Sequence, residues 1–397
     1  MSTSAPPFVI ELDHAQEKKT GQSACGDVFQ SRKLEGGSRV VSVLADGLGS
    51  GIKAAVLANL TATMAARYAA EDADIVRAAR TILETLPVCS ERKIAYSTFT
   101  LVDMDRRGET RIVEYDNPPF LLIRGGDAQA VPYQEHRLPT PTARDAVLRE
   151  ARFQTRPGDR IVMCSDGVTQ AGAGQRSTPL GWGSPALAAF LHGLLKQQPG
   201  ISARQLAQAV TKQALALDGH AAKDDISCGV IYLRKPREVM LFTGAPVDRA
   251  VDRDLAKLAR SFPGRKVICG GTTAAILSRE LGLPLQMNLR DLDPHLPPVS
   301  SLEGFDLVTE GALTLAAAAR LLGEHEHPEW LQPNAATLLA GVLLDSDVIH
   351  IVAGTKINDA LQDPSFPQDL DIRRNILKRI QRVLSEKFLK EVRVQFV

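Results

Sequence analysis

The chain has 397 residues, 44% hydrophobic and 23% charged, a globular composition too long for one ordinary core, so two domains are expected. Lysine plus arginine (47) and aspartate plus glutamate (46) nearly cancel to a net charge of +1, which disfavours general binding to nucleic acid or to an acidic membrane. The five cysteines form no Cys-x-x-Cys pair, no apolar run reaches spanning length and no charged-then-apolar leader opens the chain, so a cytoplasmic protein with reduced thiols is expected.

Phe8 to Leu12 reads as a first strand, and Gly26 marks a turn or bulge before Asp27, after which Val28-Phe29 resume a strand. Taken alone, Asp27 reads as a turn acid, and Lys18, Lys19 and Arg32 as surface charges that could instead face a phosphate. The apolar, β-branched run Val40 to Ala45 stops at Asp46; Gly47, Gly49 and Gly51 follow, and a helical pattern begins at Ile52. A buried strand therefore delivers one carboxylate to the end of a sheet, with glycines that let the backbone bend. Helices are predicted over 52–70 and 73–86, the second stopped by Pro87. A hairpin spans 97–104 and 110–115, with Asp103 and Asp105 as turn formers, and a strand covers 120–123 after Asn117-Pro118-Pro119. Residues 131–150, with three prolines, read as irregular.

The strand 160–165 repeats the design at Asp46 and ends in Asp166-Gly167. Residues 170–182 read as a flexible polar flap beside it, followed by helices over 184–195 and 202–217. Asp224-Asp225 opens the last strand, Ile226 to Leu233; adjacent acids are costly unless a cation or solvent screens them. The charge run 234–237 reads as a linker, giving a first domain over 1–235.

Ser165 lies in no Gly-x-Ser-x-Gly, and neither a zinc-type Cys/His cluster nor a Gly-Lys-Ser/Thr phosphate loop is present. Strand-end carboxylates and a glycine carbonyl suit Mg²⁺ or Mn²⁺, and two such ions about 3.5–4 Å apart can activate water for phosphoester hydrolysis.

The ordered set Gly26-Asp27, Ala45-Asp46-Gly47-Leu48-Gly49-Ser50-Gly51, Ser165-Asp166-Gly167 and Asp224-Asp225-Ile226-Ser227 resembles the metal-dependent serine/threonine phosphatases of the protein phosphatase 2C family. The resemblance is nearest the bacterial stage II sporulation protein E branch and covers about residues 8–234. It implies an α+β fold, a four-layer αββα sandwich with metals at one end; the smaller α/β domain that follows lies outside the resemblance and is read from its own pattern. It also implies that Asp46 bridges two Mn²⁺ or Mg²⁺ ions, that Gly47 contributes its carbonyl, and that Asp27, Asp166 and Asp224 complete the site, Asp225 being the weaker candidate of its pair. The implied reaction is hydrolysis of phosphoserine or phosphothreonine on a small anti-anti-sigma-like regulator by a metal-activated water. The phosphate-binding arginine of the eukaryotic members has no assigned counterpart. Two alternatives stay open: a non-catalytic phosphoprotein-binding or ligand-sensing module on the same scaffold, and a phosphatase of small phosphoesters.

Over 238–397 strands and helices alternate, with glycines at the strand-to-helix turns, as in a parallel α/β domain. Strands are predicted over 239–244 and 266–271, another strand-to-helix turn over 305–311, and helices over 248–262, 272–281 and 312–322. Gly270-Gly271-Thr272-Thr273 reads either as an anion cradle at a helix N-terminus or as a tight turn with a threonine cap. Thr309-Glu310 could line the same crevice, although acids at helix N-termini are common for electrostatic reasons alone; 354–358 could touch an anionic ligand or simply turn the chain, and His325-Glu326-His327 reads as a loop or a metal site. Residues 343–352 read as a last core strand, 373–390 as a basic amphipathic helix (a dimer contact or a solvated face) and 392–397 as a closing strand. The expected roles of this domain are sensing of a small-molecule effector or homodimerisation.

Overall fold

The computed structural model describes residues 8–34, 38–85, 97–138, 146–176, 178–287, 299–324, 332–356, 369–388 and 390–397. The helix stop at Pro87, the triplet His325-Glu326-His327 and the pair Ile357-Asn358 lie outside the described residues. The chain divides into two compact units, one ending at Lys235 and the other beginning at Pro236.

The first unit runs β1 (Val9–Glu17), β2 (Asp27–Leu34), β3 (Arg39–Gly47), α1 (Ile52–Ala70), α2 (Ile75–Thr85), β4 (Ser97–Asp105), β5 (Glu109–Tyr115), β6 (Leu121–Arg124), β7 (Asp127–Gln129), β8 (Gln134–Leu138), β9 (Ala146–Gln154), β10 (Arg160–Cys164), α3 (Asp166–Thr169), α4 (Gly183–Gln197), α5 (Ala203–Leu217) and β11 (Ile226–Arg234). Two antiparallel sheets result, ordered β1-β11-β10-β6-β7 and β2-β3-β4-β5-β9-β8. Period-two alternation decides what each face does. Val40 and Leu44 of β3 point between the sheets, where they meet Ile10, Met104, Ile161, Met163 and Ile231. Val41, Val43 and Ala45 point outward and lie under the alanine-lined face of α1 and under α2. Val162 and Cys164 of β10 likewise face outward, onto Leu191 of α4 and Leu206 and Val210 of α5. The layers are therefore helix, sheet, sheet, helix: a four-layer αββα sandwich.

Three sequence expectations fail in this unit. Residues 131–150 are not irregular, because β8 and most of β9 lie there, and β9 pairs with β5 along its length. Buried Glu150, held by Arg111, Arg152 and His136, gives β9 a polar pattern that conceals the strand. Asp103 is no turn former; it accepts two hydrogen bonds from Arg39, at 2.8 and 2.7 Å. The loop after Asp166 is pinned rather than free, since Gly172 N donates to Asp218 Oδ1 (2.7 Å) and Lys223 Nζ to the Ala173 carbonyl (2.8 Å).

The second unit runs β12 (Glu238–Thr243), α6 (Ala250–Ser261), β13 (Arg265–Cys269), α7 (Gly271–Leu281), β14 (Gln286–Met287), β15 (Ser300–Ser301), β16 (Leu307–Thr309), α8 (Ala312–Glu324), α9 (Ala335–Leu344), β17 (Val348–Ala353), α10 (Asp369–Glu386) and β18 (Glu391–Phe396). Its sheet is ordered β14-β15-β16-β13-β12-β17-β18, and the stretch from β16 to β18 is parallel. By order of appearance those parallel strands stand third, second, first, fourth and fifth, a doubly wound arrangement. Helices α6 and α7 cover one face through Leu255, Ala259 and Leu277. The opposite face carries α8, α9 and α10 through Leu315, Leu339, Leu343 and Ile380. Leu343 and Leu344 end a helix instead of opening the last strand; Asn334 caps that helix by accepting from the Ala336 and Thr337 amides. Among the described residues no helix is long and apolar enough to cross a membrane.

Helix α10 buries Leu377, Ile380 and Leu384 within its own unit, while Arg374, Lys378 and Arg379 on its basic side are exposed. Ile380→Ala is expected to lower the stability of this unit by about 2–5 kcal/mol, read by urea unfolding at two protein concentrations with the same shift at both. A change under about 0.5 kcal/mol would place Ile380 on the surface.

Candidate active site

Strands β2 and β3 pair so that Asp27 stands opposite Asp46, while Thr98 of β4 flanks Asp46 on its other side. Gly47 is required by close approach: a Cβ there would lie 2.2 Å from the Ala54 carbonyl oxygen, so the strand end rests on the first turn of α1. Asp166 opens the single turn α3 just past β10. Gly167 answers the same demand as Gly47, since its Cβ would lie 2.1 Å from the Asp225 carbonyl oxygen. Both Asp-Gly pairs thus combine a carboxylate with a point where two backbones touch.

The two acids ahead of β11 differ sharply. Asp225 is buried, with Oδ1 accepting from Lys19 N and Oδ2 from Gly26 N, each at 2.9 Å. Ser165 Oγ donates to its carbonyl at 3.3 Å. Asp224 is exposed enough to meet solvent, and its Oδ1 stands 3.7 Å from Lys19 Nζ. Of the three cations singled out in the sequence, Lys19 alone is shown paired to these acids; Lys18 and Arg32 are exposed.

Asp27 is 3% exposed, and neither of its carboxylate oxygens has a hydrogen-bond partner. Burial pushes its carboxyl well above the usual range; the Ser227 and Ser165 hydroxyls nearby pull it down, and Asp225 and Asp166 push it up again. Asp46 is raised further, first by burial and then by Asp27, Asp166 and Asp224, and it lies within hydrogen-bonding reach of Asp166. Asp166 is raised by burial and then by Asp224, while its contact with Asp46 lowers it. The structure therefore brings Asp27, Asp46, Asp166 and Asp224 into one electrostatic cluster, with Asp225 braced beneath. The cluster is loose: among the described residues no three His, Cys, Asp or Glu side chains stand within reach of a single ion as placed.

Two neighbours escaped sequence reasoning. Asp116 takes a left-handed φ of 58° and its charge raises Asp166. Asn117 is buried; its amide donates to the Leu44 carbonyl (3.3 Å) and Thr100 Oγ1 (3.2 Å), and its oxygen accepts from Thr98 Oγ1. The available signal was Asp-Asn ahead of Pro-Pro at a strand end, because Asp and Asn tolerate positive φ and hydrogen-bond to nearby backbone. Gln170 also touches the cluster, donating from Nε2 to Asp166 Oδ2 at 2.9 Å.

Residues 36–234, half of the chain, match the family model described as stage II sporulation protein E (SpoIIE). The chain belongs to the SpoIIE family. This is a family of phosphatase domains of the protein phosphatase 2C type. Among solved structures, the phosphatase domain of the cell fate determinant SpoIIE from Bacillus subtilis is 18% identical, with 58% of this chain and 95% of that chain covered and a TM-score of 0.42. The RsbU and RsbW domains of a Mycobacterium tuberculosis protein are 20% identical, covering 64% of this chain and 68% of that one with a TM-score of 0.43. RsbX in complex with magnesium is 16% identical, covering 56% and 95% with a TM-score of 0.40. No curated protein sequence matches.

The turn that carries Asp116 and Asn117 is stapled by Glu114, which accepts from Phe120 N at 2.7 Å. Burial pushes this carboxyl up to about 7, although the Phe120 amide and Arg149 pull it down. An acid raised on folding binds its proton more tightly in the folded state, so its contribution is full below the unfolded value and is lost as pH rises through the folded one. Relative to Glu114→Gln, the protein is expected to lose about 3 kcal/mol between pH 4.5 and about 7, measured by urea unfolding of both proteins across that window. A constant difference between them would contradict the burial effect.

Proposed function

We propose that the first unit is a metal-dependent phosphoprotein phosphatase that hydrolyses phosphoserine or phosphothreonine on a small anti-anti-sigma-like regulatory protein. The observation that carries this reading is the convergence of Asp27, Asp46, Asp166 and Asp224 at one end of the sandwich, with both Asp27 oxygens buried and unpartnered. Buried carboxylates without a partner are costly, and a divalent cation removes that cost. An all-oxygen donor set fits Mn²⁺ or Mg²⁺. Asp27, Asp46, the Gly47 carbonyl, Asp166 and Asp224 would hold two ions, closing inward from their present spacing, while Asp225 stays on its two amides. Such ions supply an acidified water and neutralise phosphoryl oxygens.

The chain's own groups do the rest. The ammonium of Lys19, already beside Asp224, meets the incoming phosphate dianion and orients it. Gln170 holds Asp166 through Oδ2, leaving its other oxygen for the site. Membership of a phosphatase family supports the reaction class and the choice of a phosphoprotein. The spacing of the acids favours one rival, a non-catalytic phosphoprotein-binding module on the same scaffold.

The decisive assay is hydrolysis of para-nitrophenyl phosphate with Mn²⁺ or Mg²⁺. Turnover is expected, lost with chelator, and reduced on the order of a hundredfold or more in Asp46→Asn with the thermal midpoint kept. Absence of turnover with either ion supports the binding module, and full activity in Asp46→Asn defeats the site. Lys19→Met is expected to raise KM for a phosphoprotein substrate about tenfold, on the scale of one lost charge-assisted hydrogen bond; an unchanged KM would remove Lys19 from phosphate binding.

A further inference from the structure

We infer that the outer edge of β18 takes up an acidic, extended segment of a partner protein as an added strand. Among the described residues β18 is the last strand of the second unit's sheet and pairs with β17 alone. Parity decides which of its backbone groups are free. Glu391 N donates to the Asp347 carbonyl and Val397 N to the Ala353 carbonyl, both at 2.9 Å, so the odd-numbered residues serve β17. The N–H and C=O groups of Val392, Val394 and Phe396 therefore point away from β17. Gln381 of α10 takes up the Val392 carbonyl, donating from Nε2 at 3.3 Å. Among the described residues the outward groups of Val394 and Phe396 meet no partner.

An edge of this kind is a template for another strand unless it is guarded. Guards are missing on β18. It holds no proline, and its two charges, Glu391 and Arg393, neutralise each other at 2.6 Å. Phe396, at its end, is exposed.

Helix α10 selects the sign of the partner. Its Arg374 guanidinium lies 5.3 Å above the centre of the Phe396 ring, and its Gln381 reaches the Val392 carbonyl. These two residues are seven positions apart, about two helical turns, so the side of α10 that joins them overhangs the edge of β18. Lys378 stands between them on that side, and Arg382 follows one turn later. Arg374, Lys378 and Arg382 are exposed, and among the described residues none of them pairs with an acid. Cations beside an open strand draw in carboxylates and turn away a basic segment. They also disfavour a second copy of this chain, which would bring its own cations to the same edge. A strand with an acid at every second residue presents all of those acids to α10, while main-chain bonds to Val394 and Phe396 supply the affinity. The inference does not depend on the phosphatase reading.

The test is fluorescence anisotropy of a labelled octapeptide that alternates glutamate and threonine, titrated with the full chain in EDTA, which keeps metal-held carboxylates out of the measurement. The peptide is expected to bind. One alternating glutamate and proline, which keeps the charge but cannot donate to an edge, is expected to bind about tenfold or more weakly. One alternating lysine and threonine is expected to be weaker still. Val394→Pro is expected to weaken binding about tenfold, because it removes an outward N–H at an edge position that tolerates proline. Lys378→Glu combined with Arg382→Glu, both on the surface, is expected to do the same with the thermal midpoint kept. The inference is overturned if the glutamate–threonine peptide does not bind, if either control peptide binds as tightly, or if the charge-reversed protein binds it equally well. A dimer seen in sedimentation and dissociated by Val394→Pro gives the edge to a second copy and overturns it too.

Discussion

Asp225 is the interaction on which the acid end of the first unit depends. Its two oxygens and its carbonyl take up Lys19, Gly26 and Ser165, and the glycines at 26 and 167 leave no side chain to keep those segments away from it. Hydrogen bonds to a carboxylate are stronger than neutral ones, which suits a joint between segments about 200 positions apart. The same joint keeps Asp27, next to Gly26, out of water.

A comparison with Glu150 shows how unusual Asp27 is. Burial penalises both carboxylates, but Glu150 has His136, Arg111 and Arg152 around it and ends below its ordinary value. Asp27 has two acids in its field and no cation bonded to it. A stable core removes such conflicts; where one persists, function is the usual reason. Glu150 is thus an acid that serves the sheet, and Asp27 one that the sheet tolerates.

What the sequence disclosed follows the same division. Asp46 and Asp166 were legible because long apolar strands end on them, and the two alternating faces of those strands implied layers on both sides. Strand β9 was hidden because its buried acid and arginines satisfy one another across neighbouring strands, a compensation invisible along the chain. Helix α9 was missed for the opposite reason: Ala335 to Leu344 is apolar nearly all round, since it is covered by its own unit, and so lacks a helical period. Asn117 was unreadable because its partners, Leu44, Thr98 and Thr100, sit on other strands.

Strand β1 pairs throughout with β11, Val9 opposite Arg234 and Glu17 opposite Ile226, so the beginning of the first unit closes on its end. Loop closure on that scale is slow, because chain entropy must be given up before the contacts repay it. During synthesis the early strands must wait, unclosed, until β11 has been made. Asp224 itself precedes β11 by a single residue, so a chain cut short of that strand loses the partner of both β1 and β10 and with it the frame that holds the acids at 27 and 46 against those at 166 and 224.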